Sequence, residues 1–60
     1  MSTVYNPESE TIAQIERLEL EARQVRRRIE RSRNDEDRRA LGRQLTDVQR
    51  NIDVLRSRLP

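Results

Sequence analysis

The chain has 60 residues and contains no cysteine, no histidine and no lysine. Without cysteine there is no disulfide staple and no thiolate chemistry. Without cysteine or histidine the usual zinc ligands are missing, so neither a metal site nor a cofactor is expected. There is one glycine, so no glycine-rich phosphate loop exists. The only aromatic residue is Tyr5. No apolar run exceeds two residues, which excludes a membrane-spanning segment. The N-terminus is not a basic stretch followed by an apolar run, so no secretory signal is read and a cytoplasmic protein is expected. Met1 and Pro60 fit a complete short reading frame.

What is present is charge. Thirteen arginines face eleven carboxylates for a net charge of +2, and charged residues make up 40% against 32% hydrophobic. Sixty residues make one domain at most. A core in a chain below roughly 70–80 residues rarely supplies more than about 3–5 kcal/mol. Such a chain must pack very regular helices or share its core with another chain.

Residues 1–6 carry no periodic pattern and read as a flexible arm. Asn6-Pro7 is a helix start: Asn caps free backbone N–H groups, and Pro at the first helical position gives up a donor that has no partner anyway. Glu8 and Glu10 follow in the first turn, where the helix dipole favours negative charge. The spacing then predicts a helix over 7–33. Ile15, Leu18, Ala22, Val25 and Ile29 recur at intervals of 3, 4, 3 and 4, a heptad seam that Thr11 and Ser32 extend. Leu41, Leu45, Val48, Ile52, Leu55 and Leu59 repeat the pattern and predict a second helix over 36–59.

The two seams do not join. On one unbroken helix the second would point roughly 120° away from the first. Between them, Asn34 is suited to the left-handed conformation that ends a helix, and Asn34 or Asp35 to capping the next. A turn at 34–35 folds the chain back. Ile29 then meets Leu41, Val25 meets Leu45, Ala22 meets Val48, Leu18 meets Ile52 and Ile15 meets Leu55. The expected fold is all-α, an antiparallel two-helix hairpin of coiled-coil type with those ten residues as its core.

Charge order agrees with the hairpin. Residues 8–21 carry five Glu and one Arg, net −4; residues 23–33 carry six Arg and one Glu, net +5. Folding back sets the acidic stretch beside Arg50, Arg56 and Arg58, and the basic stretch beside Asp35, Glu36 and Asp37. Pairs at i, i+4, such as Glu19 with Arg23 and Asp35 with Arg39, add a little.

Ile12, Leu20 and Val54 fall outside the seam, and Gln44, Gln49 and Asn51 flank it without charge. Flanks of a two-stranded coil in water are usually charged. Polar but neutral flanks suit partial burial. These six residues are therefore a candidate partner interface, and a homodimer of hairpins forming a four-helix bundle is expected.

Catalysis has little to work with, and no enzyme is expected. Glu16, Glu19 and Glu21 lack the histidine of a helical di-metal site and point away from the seam. The arginines are the notable chemical feature: Arg23, Arg26, Arg27, Arg28, Arg31 and Arg33 on the first helix, with Arg38, Arg39 and Arg43 on the second. Guanidinium groups bind phosphate in a bidentate way and stack on bases, so a nucleic acid or nucleotide is one candidate ligand. Against it, Glu30, Asp35, Glu36 and Asp37 lie in the same region, and no aromatic is available for base stacking. The first expectation is a small non-enzymatic interaction protein that docks on a protein partner. The alternative is a nucleic-acid or nucleotide-binding regulator. In size and presumed architecture the chain resembles small plasmid copy-control proteins that bind paired RNA loops on a four-helix bundle. That resemblance is one of architecture, and no residue role is carried across.

Overall fold

A computed structural model of the chain describes residues 6–60. Apart from Asn6, the arm expected at 1–6 lies outside the described residues. Two helices account for nearly all the rest: α1, Pro7–Arg31, and α2, Asp35–Ser57. They pack against each other as a hairpin, with no strand among the described residues.

Each helix starts on an asparagine. Asn6 is extended (φ −114°, ψ 103°), and its side-chain oxygen accepts from the Glu8 and Ser9 N–H groups at 3.0 and 3.4 Å. Asn34 repeats this (φ −99°, ψ 124°), accepting from Glu36 at 2.9 Å and Asp37 at 3.4 Å. Each cap satisfies backbone donors that have no partner within the helix. Acidic residues then fill both first turns: Glu8 and Glu10, then Asp35, Glu36 and Asp37.

The helix ends depart from the sequence expectation. α1 stops at Arg31 rather than residue 33, and the break is Ser32–Asn34 rather than 34–35. Ser32 turns extended (φ −74°, ψ 133°) while its N–H still donates to the Arg28 and Ile29 carbonyls at 2.9 and 3.3 Å. Its hydroxyl donates to the Asn34 carbonyl at 3.3 Å. No described residue has a positive φ, so Asn34 does not end α1 in a left-handed conformation. It is committed to starting α2, and an N-cap requires extended backbone. α2 begins at Asp35, one residue early, and ends at Ser57 rather than 59. There the Arg58 and Leu59 N–H groups donate to the Leu55 and Arg56 carbonyls, both at 3.1 Å. These tighter i→i−3 bonds close the last turn.

The seam is the core. Ile15, Ala22, Val25, Val48, Ile52 and Leu55 are buried, with Val25 deepest at 2% exposure. Leu18 and Leu45 are half-buried against this cluster, as is Leu59 beyond the end of α2. Ile29 and Leu41, next to the turn, are half-buried, as are Thr11 and Ser32 at the ends of the α1 seam. Among the described residues no charged or polar side chain is buried. The Cα trace is only 12 Å through its thinnest direction. The hairpin is therefore one layer of two helices, open on both broad faces.

Across the helices, an Arg56 guanidinium nitrogen donates to a Glu19 carboxylate oxygen at 3.2 Å. Each residue sits one position past a seam residue, Leu55 and Leu18. This is the expected placement of the acidic stretch beside Arg56; Glu19 takes that partner rather than Arg23 on its own helix. Asp35 and Arg39 form no ion pair either.

Candidate functional site

The chemically active groups lie on the surface, in shallow grooves along the two broad faces. On one face, Ala22 and Ile52 form a floor walled by Glu19, Arg23, Arg26, Gln49, Asp53 and Arg56. On the other, Val25 forms a floor beneath Arg17, Leu20, Glu21, Gln24, Arg28 and Gln44. Gln49 and Gln44 thus lie on opposite faces. Asn51, seven residues beyond Gln44, falls on the same helical stripe as Gln44.

All six candidate interface residues are exposed, but they do not share one face. Ile12, Leu20 and Val54 are 45%, 52% and 46% exposed, large values for apolar side chains. Leu20 lies beside Gln24 and Gln44. Ile12 falls two heptads before Arg26 and one before Glu19, on the stripe that borders the Gln49 groove.

The nine candidate phosphate-binding arginines are all exposed too. They ring the turn half of the hairpin instead of converging on one point. Arg23 and Arg26 face Gln49. Arg28 and Arg31 border Ser32 and Leu41. Arg38 and Arg39 flank Ile29 and Gly42. Arg39 and Arg43 lie with Thr46. In each of these grooves a carboxylate shares the wall: Asp53, Asp37, Asp35 and Asp47 in turn. A phosphate entering any of them would meet a carboxylate beside the guanidinium, and like charge disfavours it. Alternating signs are what an exposed, salt-bridging protein surface uses.

Among the described residues no group of three or more carboxylates is placed to hold a metal ion. No helix among them is long and apolar enough to cross a membrane. Gly42 is a feature that spacing alone did not resolve. It is half-buried in the middle of α2, yet a Cβ added there would meet nothing within 4 Å. Within one hairpin, nothing requires the glycine. The nearby Thr46 hydroxyl donates to the Gly42 carbonyl at 3.0 Å.

Comparison with protein-family models, with curated proteins and with solved structures finds no match.

Proposed function

We propose that this chain is a small non-enzymatic interaction module that works as a homodimer of hairpins, a four-helix bundle, and docks on a protein partner. The observation that supports it is the single-layer architecture with large apolar side chains left in solvent. Ile12, Leu20 and Val54 are 45%, 52% and 46% exposed, and a layer only 12 Å through its Cα trace leaves both broad faces open to a second layer. Pairing two hairpins covers one broad face of each. The other face remains for a protein partner.

Mixed charge on every groove wall supports a protein partner over a polyanion. Protein surfaces offer both signs to complement; a nucleic-acid backbone offers one. The nucleotide- or nucleic-acid-binding reading keeps one observation in its favour, the net positive charge of the turn half. Residues 22–49 carry nine Arg against five Asp and Glu, net +4.

Sedimentation velocity at micromolar concentration tests the dimer. A species of twice the chain mass is expected; a fully helical monomer refutes the proposal. Leu20→Asp tests the docking face. Leu20 is outside the core, so helicity should hold and stability should change by no more than about 0.5 kcal/mol. Proteins captured from the native host by the unaltered chain should be lost with this variant. An unchanged set removes that face from the reading.

A further inference from the structure

We infer that the two hairpins of the dimer pack with their turns at opposite ends, so that α1 of one copy lies antiparallel to α1 of the other. The inference rests on the dimeric reading above and adds a direction and a face to it.

Two flat layers can meet face to face about a two-fold axis in two simple ways. If the axis runs along the helices, the turns lie together and α1 covers α2 of the second copy. If it runs across them, the turns lie apart, α1 covers α1 and α2 covers α2. Charge separates the two. Along α1, residues 8–21 are net −4 and residues 23–33 net +5. With turns apart, each acidic half lies over a basic half, and the match occurs twice. With turns together, the acidic half lies over residues 50–58, where Arg50, Arg56 and Arg58 against Asp53 give only +2. The basic half would lie over residues 35–47, where four carboxylates and three arginines give −1. The turns-apart arrangement has the stronger complementarity.

The face is the one bearing Gln49. Glu19, Arg23 and Arg26 already share that groove. Glu16, three residues before Glu19 and seven before Arg23, lies on the same stripe. A two-fold axis level with Glu21 sets Glu16 opposite Arg26 of the second copy and Glu19 opposite its Arg23. One axis satisfies both pairs, four ion pairs in all. At that level α2 presents Gln49, since Gln49 and Ala22 line one groove. Where α2 crosses its own copy, like meets like. A charged residue on the axis would repel itself, whereas a glutamine can donate to and accept from its twin. The occupant this face fits is therefore a second copy of the chain.

The test places a spin label on Arg33→Cys, an exposed position outside both helices, in a chain with no other thiol. Sedimentation is run on the same labelled sample. With turns apart, each label lies 12 residues from the axis, so the pair should be about 36 Å apart or more at 1.5 Å per residue. A dimer with labels below roughly 25 Å, about two helix diameters, overturns the inference and leaves the dimeric reading intact. A monomer overturns both. A second experiment addresses the face. A chain with Glu16→Arg and Glu19→Arg is mixed with one carrying Arg23→Glu and Arg26→Glu. The mixed dimer should form at least about tenfold more tightly than either chain pairs with itself. Equal self-pairing and cross-pairing overturns the assigned face.

Discussion

Ile52→Ala measures the interhelical core most directly. Ile52 is 6% exposed and belongs to the cluster of Ile15, Ala22, Val48 and Leu55. The substitution removes three carbon atoms, about 2.4 kcal/mol at ~0.8 kcal/mol each. The void left behind adds to that, since two helices in one layer have few neighbours to fill it, giving about 2–5 kcal/mol in all. A chain this small has about 3–5 kcal/mol to lose. If 1 kcal/mol remains, roughly one molecule in six or seven is unfolded at 25 °C. Urea titration followed by far-UV circular dichroism at fixed protein concentration reads this as a lowered midpoint. Val54→Ala is the control on the same helix: Val54 is 46% exposed, so its loss should cost about 0.5 kcal/mol or less. If Ile52→Ala costs no more than Val54→Ala, Ile52 does not face α1 and the hairpin packing is wrong. Ile52→Asp should abolish the fold outright. Leu18→Asp should be milder, because half-buried Leu18 leaves a carboxylate a path to water.

Asn34→Ala removes the cap of α2 and should cost about 0.5–2 kcal/mol, seen as a lower urea midpoint; no change would mean that Asn34 does not cap the helix. Gly42→Ala should stabilise the hairpin by about 0.5–1 kcal/mol, since the new methyl has open space and helix interiors disfavour glycine. The thermal midpoint should rise by about 4–8 °C per kcal/mol, and a fall would reveal something seated against Gly42 that one hairpin does not contain. Mixed RNA or DNA pools should show no binding at about 50 mM salt. Tight binding that falls steeply as salt rises, and is lost on charge reversal at Arg27 and Arg28, would favour the nucleic-acid reading.

The helical pattern was legible because it depends on spacing. Two heptad series with incompatible phases require a break, and Asn6 and Asn34 are caps recognisable from their side chains alone. The end of α1 was less legible. Ser32 and Arg33 include neither glycine nor proline, so nothing in their identity says that Ser32 turns extended. The ion pair across the helices was legible from the fold-back, which sets the acidic stretch beside Arg56, and Glu19 meets Arg56 at 3.2 Å. The i, i+4 pairs were not, because spacing on one helix does not say which partner a long side chain takes. The arginines were countable from the start; that each groove also holds a carboxylate depends on which faces the two helices bring together.

The bridge between the helices has one practical consequence. Ser32 and Asn34 are extended, and no described residue there needs a left-handed backbone or a glycine. Arg33, between them, is exposed. A foreign peptide spliced in after Arg33 would disturb neither the seam nor the side chain that starts α2. Each doubling of the tether adds only about 0.6 kcal/mol of closure entropy. The tip of this hairpin is thus a place where a grafted epitope can be displayed on a rigid stalk.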